Sequence, residues 1–338
     1  MAPVVQSNMD SGGAAGIFTC DGGPHVVLEY NGPSAEHFIS STVYHPEGAH
    51  RPLSGVVLVG GWLCGEHALK NWALFLASHG LVAMTIATPS PRSDMPSQRS
   101  VALLAAAHAL KAEGDSSASP LHGRLDATRI ALIGYSLGGG GVQLAAAAEA
   151  SSEANLRCIV ALAPHSGVNP DKDPAGHAAA VKACARHAVP ALLVTCDADK
   201  RSPPAQHGRP MYDAMPAQTP RMYFEVGHGA DHAAVNGPAG NGTMNSFIQS
   251  VDMCRLWCCC GLCCCAPSAF QVCWALNRPI ASHEDAVAAG AAGGRGAVGG
   301  VVLAWLRIFL LDDESARASL VSPDARPGCA VAFETRLT

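Results

Sequence analysis

The sequence predicts an α/β protein in which a mostly parallel central β-sheet carries helices on both faces. Short apolar runs alternate with helical patterns as far as Asn241, and the central runs are apolar throughout, as in strands buried on both faces. Of 338 residues, 49% are hydrophobic and only 14% are charged, which excludes a disordered chain. The formal net charge of −5 argues against a nucleic-acid partner, because phosphate binding needs a basic surface.

Each element is predicted from its own local pattern. Apolar runs between turn residues predict strands at residues 26–30, 38–44, 55–61, 81–87, 129–134, 158–162, 190–196 and 221–226. Helical periodicity predicts helices at residues 66–78, 98–111 and 142–150, and a closing helix at residues 301–311. Strands that alternate with helices pair in parallel, and such sheets bind ligands at the carboxyl ends of their strands.

Composition divides the chain into five segments. Residues 1–22 are a Gly- and Ser-rich stretch, expected to be a flexible lead, and residues 23–242 are expected to form the core. Residues 243–297 hold a cysteine tract and an Ala- and Gly-rich stretch, which predicts an insertion. Residues 298–322 return to the core as its closing helix, and residues 323–338 form a C-terminal tail without an assigned structure.

The strongest chemical signal is a G-x-S-x-G motif around Ser136, from Gly134 to Gly138. It lies between an apolar strand and a helical pattern, which is the setting of a nucleophile elbow. Small residues are needed there because the serine occupies a strained turn close to the neighbouring backbone. Ser136 is therefore the predicted nucleophile.

A serine nucleophile needs a base and a group that orients the base. In this type of fold the acid follows a later strand and the histidine comes after it in the chain. The strand at residues 190–196 is followed by Asp197 and Asp199, and the strand at residues 221–226 is followed by His228 and His232. The motif order is satisfied, but the residues by themselves leave two candidates for each role.

Further stretches make the chain resemble the polyester hydrolase and bacterial cutinase group of α/β-hydrolases, which includes the PET hydrolases and is related to the dienelactone hydrolases. The similar stretches are Asn71-Trp72 and residues 76–80, 125–130, 134–141, 197–199 and 229–236. The resemblance extends from Gly55 to Asn236 and returns at residues 301–322. It implies an α/β-hydrolase fold and a serine carboxylic-ester hydrolase that forms an acyl-enzyme. It implies no cofactor or metal, and a small-molecule or polymeric ester as substrate.

The resemblance also implies which residues catalyse. It places the acid at Asp199 and the base at His232, with Ser136 as nucleophile. The oxyanion hole would be formed by the backbone N–H groups of Trp62 and Leu137, since a tetrahedral intermediate needs two preorganised donors.

The same resemblance implies a substrate-binding set that comprises Trp62, Tyr135, Leu137 and His165. Many relatives carry a tryptophan at the position of His165, and an aromatic wall there helps to hold flat acyl groups. The histidine therefore favours smaller esters over aromatic polyesters. The alternatives are a lipid- or chlorophyll-type ester hydrolase on the same fold, and a non-catalytic membrane-associated scaffold.

Fourteen cysteines are an unusual number, and eight of them fall within residues 254–273. A thiolate metal site, S-acylation, disulfides and a low-complexity insertion without a specific role are the alternatives, of which the last is preferred. S-acylation would attach the protein peripherally to a membrane. Residues 1–16 show no signal-peptide pattern and no run reaches about 20 apolar residues, so a cytoplasmic location without a membrane span is expected.

Overall fold

The computed structural model describes residues 18–49, 52–240, 296–322 and 326–337. The cysteine tract and most of the Ala- and Gly-rich stretch lie outside these residues. The predicted limits of the insertion, and S-acylation within it, therefore stay predictions.

The described strands form one nine-stranded sheet in the order β1-β2-β4-β3-β5-β6-β7-β8-β9. The strands are β1 Val27–Asn31, β2 Ser40–Pro46, β3 Leu53–Val59, β4 Val82–Ala87, β5 Leu125–Tyr135, β6 Leu156–Leu162, β7 Ala191–Cys196, β8 Arg221–Val226 and β9 Ala330–Arg336. The strands from β3 to β8 pair in parallel, whereas β1, β2 and β9 are antiparallel to their neighbours. The predicted mostly parallel α/β sheet is confirmed.

Helices cover both faces of this sheet, as predicted. They are α1 Lys70–Ser78, α2 Pro96–Asp115, α3 Leu137–Ala147, α4 Pro174–Cys184, α5 Gly208–Ala214, α6 Ala297–Leu311 and α7 Ser315–Val321. Side chains of α1, α6 and α7 pack into one core, and side chains of α2 to α5 pack into the other. Successive side chains of β3 point to opposite faces of the sheet. Val56 and Leu58 therefore pack into the first core, and Val57 and Val59 pack into the second.

Both ends of the described chain depart from expectation. The segment that was expected to be a tail contains β9, which pairs with β8 from Arg221 to Val226. Its residues are only partly buried at a sheet edge, so the sequence lacks the apolar run that reveals a central strand. At the other end, Phe18 and Cys20 fall within the lead expected over residues 1–22, yet both are buried.

Helix α3 begins at Leu137, five residues before the predicted start at Val142. Four consecutive glycines fill its first turn, and glycine lowers intrinsic helix propensity. Tertiary packing explains them. A Cβ at Gly138 would lie 2.5 Å from the carbonyl oxygen of Val59, and one at Gly140 would lie 2.3 Å from that of His165. The glycines allow this helix to start against the strand ends.

Among the described helices, none combines the length and the apolarity that crossing a bilayer requires. The predicted cytoplasmic location stays a prediction.

Candidate active site

Ser136 lies in a sharp turn between β5 and α3. Its backbone has φ 58° and ψ −117°, a strained conformation for a residue with a side chain. The glycines of the motif make room for the turn: a Cβ at Gly134 would lie 2.0 Å from the carbonyl oxygen of Gly138. The turn places Ser136 at the carboxyl end of the sheet, where ligands are expected.

Three predicted residues meet at this edge in one hydrogen-bonded line. Ser136 Oγ donates to His232 Nε2 at 2.9 Å, and His232 Nδ1 donates to Asp199 Oδ2 at 2.7 Å. The three residues are 4 to 9% exposed. This is the geometry in which an imidazole can take a proton from a hydroxyl while a carboxylate fixes its orientation.

The second carboxylate oxygen of Asp199 accepts two backbone N–H bonds, from Arg201 and Ser202, each at 2.8 Å. Burial by itself would raise the pKa of Asp199, but His232 and these two donors together hold it below its ordinary value. The carboxylate is therefore ionised and its orientation is fixed from both sides.

The two competing candidates lie apart from Ser136. Asp197 is exposed, and its Oδ2 accepts a hydrogen bond from Gly229 N at 3.3 Å. His228 is also exposed, with φ 60° and with its Nε2 3.4 Å from the carbonyl oxygen of Gly328. The geometry thus distinguishes between pairs that the residues alone leave open.

The loop after β3 passes directly beside the serine. A Cβ at Gly61 would lie 2.6 Å from Ser136 Cβ, so only glycine permits this approach. Within the described chain, the N–H groups of Trp62 and Leu137 donate no hydrogen bond. Both are therefore available to an oxygen that forms next to Ser136.

Trp62 is 44% exposed at the rim, and its indole Nε1 donates to the carbonyl oxygen of Arg92 at 2.9 Å. The predicted part of Trp62 in substrate binding stays a prediction. Tyr135 departs from the expected position beside substrate, because its side chain is fully buried and its hydroxyl donates to the carbonyl oxygen of His232 at 3.0 Å. The Tyr135 hydroxyl therefore helps to fix the backbone of His232.

His165 follows β6 and belongs to a cluster that we name the histidine wall: His165, Ser166, His177 and His207. The rings of His165 and His207 stack with centroids 4.0 Å apart. His177 contacts His207 edge-on at 5.0 Å, and Ser166 Oγ lies 3.0 Å from His177 Nδ1. In the part of the chain that the structure describes, no group of His, Cys, Asp or Glu forms a metal site.

Two features of this region were missed from the sequence. His177 and His207 lie in no motif, and only their contacts with His165 reveal them. Arg99 is fully buried beneath the loop after β3, on the helix predicted at residues 98–111. Its sequence neighbours Gln98 and Ser100 are polar, so no local signal marked it as buried.

The sheet, the elbow and the hydrogen-bonded line are those of a carboxylic ester hydrolase with the α/β-hydrolase fold. The comparisons with known proteins give the same class. The description "PET hydrolase-like" belongs to the family model that matches residues 11–255, and the chain belongs to that family. The predicted family and enzyme class are confirmed.

Several curated relatives share this similarity. Cutinase 1 of Thermobifida cellulosilytica is 30% identical over 226 residues, which cover 66% of this chain and 77% of the relative. A cutinase of Thermobifida fusca (strain YX) is 30% identical over 226 residues, with 66% and 67% covered. The bis(hydroxyethyl) terephthalate hydrolase of Streptomyces coelicolor is 30% identical over 200 residues, with 59% and 57% covered.

Proposed function

We propose that the protein hydrolyses carboxylic esters through a covalent acyl-enzyme on Ser136. The observation that carries this proposal is the line from Ser136 Oγ through His232 to Asp199, at 2.9 and 2.7 Å. As Ser136 Oγ attacks the ester carbonyl carbon, His232 Nε2 takes the hydroxyl proton. The same nitrogen then gives that proton to the departing alcohol oxygen, which leaves the acyl group on the serine.

Water completes the cycle. His232 Nε2 takes a proton from water as its oxygen attacks the acyl carbon, and returns the proton to Ser136 Oγ when the acid leaves. Asp199 stabilises the imidazolium that forms in each half-reaction, because its carboxylate accepts the Nδ1 proton at 2.7 Å. These steps use side chains and water alone.

Both half-reactions pass through an oxyanion, for which we propose Trp62 N–H and Leu137 N–H as donors. Their position supports this proposal. Leu137 directly follows Ser136 in the chain as the first residue of α3, and Gly61, in the loop that carries Trp62, packs against Ser136. Neither N–H has another acceptor in the described chain. Hydrogen bonds from such preorganised donors become stronger when negative charge develops on the oxygen.

For the substrate we propose an ester whose acyl chain lies between Trp62 and His165. Relatives named cutinase and bis(hydroxyethyl) terephthalate hydrolase support ester and polyester substrates as the class. Gly167 N donates to His165 Nδ1 at 2.9 Å, so the proton of the neutral ring is on Nε2. The partly buried ring therefore offers a donor to an oxygen in the acyl chain, such as the second carbonyl of a dicarboxylic ester.

The test is Ser136→Ala, with a p-nitrophenyl short-chain ester and a fluorophosphonate probe. We expect turnover to fall by a factor on the order of 10⁴ or more and labelling to vanish, because both require the Oγ nucleophile. Ser117→Ala is the control, since Ser117 is exposed in a turn before β5. Retained turnover in folded Ser136→Ala would refute the proposal. Wild-type protein that neither turns over the ester nor takes the label would point to the scaffold alternative.

A further inference from the structure

Arg99 is a buried cation whose partners are backbone carbonyl groups. Its side chain is fully buried, and it donates from Nη1 to Gly60 O at 3.0 Å, from Nη2 to Pro91 O at 2.9 Å and from Nε to Asp94 O at 3.2 Å. Across the described residues, Arg99 takes part in no ion pair. Asp94 attracts the cation without pairing with it, and burial still lowers the pKa of Arg99. Burying a guanidinium outside an ion pair costs several kcal/mol, so the carbonyls that it holds need an explanation.

Those carbonyls bracket Trp62. Gly60 O lies two residues before Trp62, and Pro91 O, besides binding Arg99, accepts Leu63 N–H at 3.0 Å just after it. The Trp62 indole is tied to the carbonyl oxygen of Arg92 in the same neighbouring segment. One guanidinium therefore holds the backbone on both sides of the Trp62 N–H.

The loop that carries Trp62 has a backbone conformation that must be held in place by contacts. Leu63 has φ 62°, in the left-handed region that a leucine adopts only under constraint. Gly61 has no side chain to anchor the loop, since any Cβ there would collide with Ser136. The loop is therefore held by hydrogen bonds to its backbone, together with the bond from the Trp62 indole to Arg92 O.

Arg99 is also linked to the other half of the oxyanion hole. A Cβ at Gly141 would lie 3.0 Å from Arg99 Cβ, so helices α2 and α3 pack closely at this point. Helix α3 supplies Leu137 as its first residue. A single side chain thus contacts the helix that presents one donor and holds the loop that presents the other.

We infer that Arg99 is a positioning residue for oxyanion stabilisation: it sets the direction of the Trp62 N–H relative to Ser136 through the carbonyls of Gly60 and Pro91. The inference rests on the proposed function, because it assigns a purpose to the donor of the proposed oxyanion hole. Its effect is confined to the transition state, since the donor strengthens only as the oxyanion forms.

The experiment compares Arg99→Gln and Arg99→Lys with Arg221→Gln. Arg221 is a matched control: it is 3% exposed and its Nη1 also donates to backbone carbonyls, Met215 O at 3.2 Å and Pro216 O at 2.6 Å. It is the first residue of β8, so it lies at the amino ends of the parallel strands, whereas Ser136 lies at their carboxyl ends. Each protein is assayed below its unfolding temperature for kcat and KM on a short p-nitrophenyl ester. Each is also assayed for inhibition by an alkyl boronic acid, which forms a tetrahedral adduct on the serine.

For Arg99→Gln we expect kcat to fall by about 100-fold with KM changed by less than about threefold, and boronic acid binding to weaken by a similar factor to kcat. Arg99→Lys keeps the charge but lacks the planar fork, so it should recover only part of kcat. Arg221→Gln should lose stability and keep both kcat and boronic acid affinity. This split separates positioning from general stabilisation of the fold.

A folded Arg99→Gln variant with wild-type kcat and boronic acid affinity would overturn the inference. So would equal kcat losses in Arg99→Gln and Arg221→Gln, and so would failure of both Arg99 variants to fold, since the arginine would then serve the fold as a whole. None of these results would contradict the proposed function, which is tested separately by Ser136→Ala.

Discussion

Two groups of imidazoles meet at the carboxyl edge of the sheet and differ in their partners. His232 lies between the Asp199 carboxylate and the Ser136 hydroxyl, at 2.7 and 2.9 Å. In the histidine wall, the described hydrogen bonds involve backbone groups and a serine: His165 with Gly167 N, and His207 with the backbone N–H and hydroxyl of Ser166. Among these rings, His232 alone has a carboxylate as a described hydrogen-bond partner.

The difference shows what a buried histidine needs in order to act as a base. Burial, followed by the neighbouring imidazoles, lowers the pKa of His165 to about 4 and that of His207 to about 3, against an opposing effect of the Asp199 carboxylate. His165 and His207 are therefore neutral near pH 7. A buried ring gains the capacity to hold a proton from a carboxylate that accepts its N–H, and Asp199 is placed to provide this for His232.

Removing that carboxylate should have the largest effect. Asp199→Asn replaces the anion with an amide, which cannot stabilise the imidazolium and can favour the wrong tautomer of His232. We expect kcat on a p-nitrophenyl ester to fall by about 10³- to 10⁴-fold. Asp197→Asn is the matched control, because Asp197 follows the same strand but is exposed and bonds to Gly229 N. If Asp197→Asn were the more damaging change, the choice between the two acids would be reversed.

Lowering the pH should reduce the free energy of unfolding through the buried imidazoles of the histidine wall. A histidine whose pKa falls from 6.5 in the unfolded chain to about 4, as for His165, binds more protons when unfolded, so the free energy of unfolding decreases as the pH falls below about 7. We expect His165 and His207 each to contribute a loss on the order of 1 kcal/mol between pH 7 and pH 5, or a few degrees in Tm.

Tm measured against pH for the wild type, His207→Gln and His108→Gln checks this. His207→Gln should flatten the decrease, whereas His108→Gln should not, because His108 is exposed on α2. The same pH dependence in all three proteins would contradict a lowered pKa of His207.

The smallest expected effect concerns substrate choice. His165→Phe removes the Nε2 donor and restores an aromatic wall. We expect the preference for an acyl chain ending in a methyl ester, over an alkyl chain of equal length, to fall by about 3- to 10-fold in kcat/KM, which corresponds to one hydrogen bond. His37→Phe at an exposed position is the control. An unchanged ratio would mean that the histidine does not contact the acyl chain.

Much of the fold could be predicted because its signals are local. The eight predicted strand positions all carry strands, since continuous apolar runs between turns are visible in a few residues of sequence. Helices α4 and α5 were not predicted, and α7 lies within the single closing helix expected over residues 298–322, a range in which the structure has two helices. These three helices are 7 to 11 residues long and bury few side chains, so their periodicity is weak. The start of α3 was missed because its glycines serve contacts with β3 and with the chain after β6.

The candidate site divides in the same way. The elbow at Ser136 is a short motif with a steric reason for each glycine, so it can be read directly. The residues alone left Asp197 and Asp199, and likewise His228 and His232, undecided, and the choice came from the family resemblance. The geometry supports that choice, because only Asp199 and His232 lie in hydrogen-bond reach of each other.

By itself, the sequence determined the class of fold and the nucleophile elbow, because apolar periodicity and the spacing of glycines around a serine are local properties of a chain. The family came from the resemblance of further stretches to known relatives. Tertiary structure alone decided that β9 closes the sheet, that His165 stacks on His207 and that Arg99 binds the carbonyl group of Gly60. These contacts join residues that are 39 or more positions apart. Their formation depends on how the strands and helices pack, which no short stretch of sequence encodes.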